Sequence, residues 1–254
     1  MTAVVVIGAS IISHLAGLLE AKGIEKTIAA PGLSFDSKKM RDILVRFRNF
    51  CVGKKVIKVG IFPLGNSMFP GRPRGPCYLR PRQRPLIAVE MMKKTLAFIK
   101  ELRASVESGT ELSFVILPSL GRRPGPCRDK CTNCICYAKF GKKAVKYEKM
   151  MLKVKDSKLS VIKIQEFSEY IIKHKRTNNK TIKRLRKLMH QMKNKTCTEI
   201  RGKNKLFKHI SGLLLNCPAK LKCERDPKWK PDKIHLCCQY GSETLAGFIS
   251  QCLA

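Results

Sequence analysis

The sequence predicts an α/β fold, a parallel sheet with helices on both faces. Three observations carry that expectation. Short β-branched runs recur along the chain, segments of helical periodicity separate them, and the strand–helix pair repeats five times before the composition changes. With 254 residues, 44% of them hydrophobic, the chain can bury a sizeable core and is too apolar to be disordered. A collagen-like or low-complexity fibre is excluded. So is a multi-span membrane protein, because no run reaches about 18 apolar residues.

Ala3–Ile7 is a continuous β-branched run, as in a central parallel strand. Ile11–Ala21 then carries Ile12, Leu15, Leu18 and Leu19 at helical spacing, and Gly23 stands where a helix stop belongs. Ile24–Ala30 reads as a second strand, ended by Pro31-Gly32. Asp36 or Ser37 can cap a helix to about Phe50, with Met40, Ile43, Leu44 and Phe47 on one face. Val56–Leu64 is the third strand, and the Pro-, Gly- and Arg-rich stretch Phe69–Pro85 has no period. Helix Leu86–Val106, strand Leu112–Leu117, helix Ala144–Val154 and strand Leu159–Ile164 follow. Leu245, Phe248, Ile249 and Leu253 form a final amphipathic helix with Gly241 or Ser242 near its cap. One domain over residues 1–254 is expected, with insertions at about 121–141 and 173–225.

Residues 1–19 contain no Lys, Arg, Asp or Glu, and the first basic residue is Lys22. A secretory signal places basic residues ahead of its apolar run. The segment is therefore read as a strand, and an intracellular location is expected over a secreted one.

The charge points to anionic partners. Lys and Arg total 52 against 18 Asp and Glu, a net charge of +34, far above the magnitude of about 2–8 that keeps a small domain soluble. The stretch Lys173–Lys208 concentrates it, with 14 Lys or Arg in 36 residues and one acid, Glu199. Ile182, Leu185, Met189 and Met192 put an apolar stripe on this basic helix, which either lies on the domain or extends from it as an arm. Lys183, Arg184, Arg186 and Lys187 are its candidate contacts to RNA or DNA. Phe207 is the only aromatic residue of the stretch, so contact would be with phosphates rather than by base stacking. A solvated basic helix without a partner is the competing reading.

Cysteine is plentiful, at 12 residues, and four fall in one short loop as Cys127-x₃-Cys131-x₂-Cys134-x-Cys136. Four thiolates so spaced suit a structural Zn²⁺, with Cys136 the weakest ligand because only one residue separates it from Cys134. Reduced or disulfide-paired thiols are the alternative. Cys217, Cys223, Cys237 and Cys238 form a second site or pack as ordinary thiols.

Two segments at opposite ends carry candidate chemistry. Ser10 follows the first strand and opens the first helix, at the sheet edge where ligands of parallel sheets bind. Its N–H lies at a helix start, where developing negative charge is stabilised. An ordinary capping serine would occupy the same position. Asp232-Lys233-Ile234-His235 precedes the final helix. There the carboxylate can orient the imidazole through Nδ1 and leave Nε2 as general base for a serine.

These blocks together resemble the SGNH (GDSL-type) hydrolases. Gly8-Ala9-Ser10 follows strand one, Gly32 strand two and Gly65-Asn66-Ser67 strand three. Asp232-x-x-His235 stands before the last helix, within Trp229-Lys-Pro-Asp-Lys-Ile-His-Leu. The resemblance covers about residues 3–120 and 226–254. It implies a flavodoxin-like three-layer α/β/α fold with a five-stranded parallel sheet in the order 2-1-3-4-5, and ester hydrolysis that needs no cofactor. It makes Ser10 the nucleophile, His235 the base and Asp232 its orienting acid. Ser10 and Gly32 N–H groups would serve the oxyanion hole. The family's third donor, an Asn two positions after the block-three glycine, falls here on Ser67, with Asn66 one position early. Ala9 stands where the family has Asp. Two expectations follow, a serine esterase on a basic scaffold and a catalytically weak SGNH-like protein that binds nucleic acid. The basic, Cys-rich character is similar, without a motif match, to SGNH-like domains encoded by retroelements. A secreted, disulfide-bonded hydrolase without free thiols is a third reading.

Overall fold

A computed structural model describes residues 2–8, 10–29, 37–62, 87–118, 140–174, 180–215 and 238–254. In chain order the elements are β1 (Ala3–Gly8), α1 (Ser10–Ser13), α2 (Ala16–Glu20), β2 (Lys26–Ala29), α3 (Ser37–Cys51), β3 (Val56–Ile61) and α4 (Ala88–Ala104). They continue with β4 (Glu111–Ile116), α5 (Phe140–Met151), β5 (Leu159–Val161), α6 (Ile164–His174), α7 (Lys180–Lys193), α8 (Glu199–Leu215) and α9 (Cys238–Leu253).

The five strands form one sheet in the order β2-β1-β3-β4-β5, and every pairing is parallel. β1 is an interior strand, and its fully buried Val5, Val6 and Ile7 form a run that only a strand covered on both faces can hold. Register then divides the side chains. Val5, Val59 and Phe114 share one level and one face, with Ile7, Ile61 and Ile116 two residues further along. This face is large and apolar. α4 lies against it, with the Arg103 guanidinium 5.1 Å from the Phe114 ring centre, and α3 and α5 flank α4.

The opposite face carries Val6, Gly8 and Gly60, and small residues there let helices come close. A Cβ at Gly8 would lie 2.5 Å from Ile12 Cγ1 and 2.9 Å from Phe62 Cβ. A Cβ at Gly60 would lie 2.8 Å from Leu253 Cδ1. α1 and α9 therefore cover this side, with α2 and α6 packed beside α9. Phe167 of α6 stacks on Phe248 of α9 at 4.1 Å between ring centres. Helices on both faces of a parallel sheet give the three-layer architecture expected from the sequence.

The basic insertion packs on the domain. α7 buries Ile182, Leu185 and Leu188, and α8 buries Leu206, Phe207, Ile210, Leu213 and Leu214. α8 touches α5 of one layer and α6 and α9 of the other, with α7 on its far side. The Met189 and Met192 side chains complete the apolar stripe at half-burial.

Several element boundaries differ from the sequence reading. The helix expected over Ile11–Ala21 is two short helices with a turn at His14–Leu15. The apolar period does not register the break, because Ile12 and Leu15 stay fully buried across it. The last helix begins at Cys238, so Gly241 and Ser242 lie inside it rather than at its cap. α6 is an additional helix. Glu166 starts it by accepting from the Lys163 N–H at 2.9 Å.

Candidate functional site

The carboxyl ends of β1 and β3 adjoin in the sheet, and from β1 the chain passes to β2 on the other side. This reversal of strand order opens a crevice in sheets of this kind. Ser10 is the first residue of α1 and stands two residues beyond Gly8, the last of β1. The approach of α1 to the strand is fixed by Gly8, where any side chain would meet Ile12 and Phe62. The backbone that presents Ser10 is thus held against β3 through a contact only glycine permits.

α1 is a single turn of four residues. The expectation that a helix dipole supports charge at Ser10 needs correction on that account. A macrodipole grows with aligned peptide units, and one turn supplies few. Stabilisation of an oxyanion would rest on individual N–H donors instead.

The other end of the chain is fixed relative to this edge by α9. Ser250 Oγ donates to the Lys22 carbonyl at 3.1 Å, in the turn that leads into β2. Lys58 Nζ, low on β3, donates to the Ala254 carbonyl at 2.9 Å. The C-terminal turn of α9 is therefore tied to the amino side of the sheet. A helix of 16 residues is about 24 Å long, and its first half holds Tyr240, Thr244 and Leu245 buried. The segment entering α9 is the one that carries Asp232 and His235 in sequence.

Asp232 and His235 themselves lie outside the described residues, as do Ala9, Gly32, Asn66 and Ser67. The same holds for Cys127, Cys131, Cys134 and Cys136. Among the described residues no group of three or more His, Cys, Asp or Glu is arranged to hold a metal ion. Cys51, Cys197 and Cys252 are free thiols. Burial pushes the Cys51 thiol up to about 11 and the Cys252 thiol up to about 12, so neither is poised as a nucleophile. No helix of the described residues is long and apolar enough to cross a membrane.

The nucleic-acid candidates are described. Lys183, Arg184, Arg186 and Lys187 are all exposed on α7, opposite its buried stripe of Ile182, Leu185 and Leu188. Lys180 and Lys193 extend the exposed cations to both ends of that helix. A cleft of about 1560 Å³ between α6, α7 and α9 was not legible in the sequence. It brings Tyr170, His174, His190 and Cys252 together from three helices, a juxtaposition without a local spacing signal. His174 is engaged there, stacked on Tyr170 at 4.3 Å and bonded through Nδ1 to the Tyr170 carbonyl.

Comparisons of the chain with family models, with curated proteins and with solved structures return no match.

Proposed function

We propose that the chain is a serine hydrolase of the SGNH type that acts on esters. The observation carrying the reading is the position of Ser10, which opens α1 directly at the carboxyl end of β1, where the strand order reverses. The anchoring of the C-terminal turn of α9 to the amino side of the sheet adds support, since Asp232 and His235 precede Cys238, the first residue of that helix, in sequence. In this mechanism His235 Nε2 takes the Ser10 proton as Oγ attacks the ester carbonyl. Asp232 holds the imidazole in the required tautomer and stabilises the imidazolium. The tetrahedral oxyanion accepts hydrogen bonds from the Ser10 and Gly32 N–H groups and from Asn66 or Ser67. Collapse expels the alcohol, which takes its proton from His235, and water repeats the sequence on the acyl-enzyme. The test is turnover of p-nitrophenyl acetate. Ser10→Ala should remove it, and a variant that turns over at the wild-type rate overturns the proposal.

A second reading has its own observation. α7 presents Lys183, Arg184, Arg186 and Lys187 to solvent, so it can bind the phosphate backbone of RNA or DNA without reading sequence. Affinity should then fall steeply with salt, by about 10³-fold or more from low to moderate ionic strength for six or more contacts. Binding that is insensitive to salt, or none at low salt, contradicts it.

A further inference from the structure

Cations are not confined to α7. α5 exposes Lys142, Lys146 and Lys149, spaced i, i+4 and i+7, so they form one stripe along the helix, and Lys153 lies exposed just beyond its end. The one acid of α5, Glu148, points inward and is buried. α8 repeats the pattern. Its outward stripe is Arg201 and Lys208, both exposed, with Lys205 half-buried between them, and the remaining positions of that stretch are largely buried against the domain. Its one acid, Glu199, is at its first residue and is paired with Lys203 at 2.7 Å.

α8 packs against α5 on one side and α7 on the other, so the three stripes are neighbours. Both seams are visible in the electrostatics. His209, half-buried on α8, is held below its usual range first by desolvation and then by Arg184 of α7 with Lys208 and Lys205. Glu199 is held low chiefly by its hydrogen bond with Lys203, and Lys149 of α5 adds to this. The middle helix is also anchored. The buried Lys203 ammonium lies 2.8 Å from Glu148 Oε1 of α5, and Glu148 Oε2 accepts from the Ile164 N–H at 2.9 Å.

We infer that α5, α8 and α7 form one continuous polyanion-binding surface that takes the phosphate backbone of a nucleic acid. This rests on the second reading above and extends it from one helix to three. α7 alone, with 14 residues, is about 21 Å long, enough to run beside about six phosphates of one strand at 3.4 Å each. The stripes hold no aromatic side chain on which bases would stack. α7 turns its apolar side inward, and the exposed Leu152 and Ile200 lie apart, at the end of α5 and on α8, whereas a helix lying on a membrane must expose a continuous apolar face.

Binding to a fluorescein-labelled DNA duplex and to a single-stranded RNA, each of random sequence and titrated across salt, tests the surface. Two sets of exposed residues are neutralised separately. One is Lys183→Gln, Arg186→Gln and Lys187→Gln on α7, and the other is Lys142→Gln, Lys146→Gln and Lys149→Gln on α5. On duplex, each set should reduce the slope of log K against log salt by about two to three, with thermal midpoints no lower than that of the wild type. The His209 titration, followed by NMR in the wild-type chain, should move upward when duplex occupies the surface and offsets Arg184, Lys205 and Lys208. An effect of the α7 set with none from the α5 set overturns the three-helix surface and leaves the single-helix reading standing. Absence of salt-dependent binding to either nucleic acid overturns both. Retention on phosphatidylserine vesicles with no nucleic-acid binding also overturns it.

Discussion

Gly8 decides how closely the first helix sits against the sheet. Ile12 and Phe62 occupy the space a Cβ would take, and Phe62 is held through its backbone, whose N–H donates to the Ile7 carbonyl at 2.8 Å. Neither neighbour can withdraw cheaply. Gly8→Ala is therefore expected to cost about 1–3 kcal/mol through overpacking. It should also lower ester turnover beyond what the lost stability explains, because α1 must move and Ser10 begins it. Urea unfolding and steady-state kinetics on one preparation check this, and a variant with wild-type values for both would contradict it. Gly60 provides a contrast. Its close neighbour is the end of the Leu253 side chain, which can swing away, so alanine there should be milder.

At the scale of elements, the ion pair joining α5, α6 and α8 is the joint that holds the basic insertion to the domain. Lys203 and Glu148 are both nearly inaccessible, with 5% and 6% of their side chains exposed. Removing one partner leaves a buried charge alone, and Lys203→Met should destabilise by about 3–5 kcal/mol. Desolvation works against the charged lysine, but its hydrogen bonds to Glu148 and Glu199 outweigh it and hold Lys203 above the ordinary lysine value of about 10.4. Its contribution is therefore complete below that value and is lost as pH rises through the higher folded one. The wild-type urea midpoint should fall on that alkaline rise, and more steeply than in Lys203→Met. Equal alkaline losses in both proteins would contradict the assignment.

Strands were the most legible elements, because runs such as Val4–Ile7 and Phe114–Leu117 are apolar at every position, and chain order with right-handed crossovers leaves few sheet arrangements. The α1–α2 break was hidden because both flanking apolar residues stay in the core. The start of α9 was hidden because Gly241, which reads as a boundary signal, is buried within the helix. The position of Ser10 could be read from its place after a strand. The α5 and α8 stripes were present as lysine spacings, but their union needed the packing of α8 between its neighbours, which no local pattern encodes. The segments bearing Gly32, Asn66, Ser67, Asp232 and His235 lack the periodicity on which such reading depends.

For the whole molecule, charge dominates. A net charge of +34 repels itself in the compact state, and screening relieves that repulsion within a Debye length of about 10 Å at 0.1 M salt. The thermal midpoint should rise as sodium chloride increases from low to physiological concentration, and a flat or falling midpoint would contradict this. The same salt should weaken any nucleic-acid complex, so stability and binding should move in opposite directions. The hydrolase reading asks something different of the whole chain, that its first helix and the approach to its last meet at one sheet edge. Covalent labelling with a fluorophosphonate, mapped by mass spectrometry, tests that most directly. The account predicts an adduct on Ser10 that forms rapidly in the wild type and is largely lost in His235→Ala. An adduct on another residue, or labelling of Ser10 at an unchanged rate without His235, would contradict it.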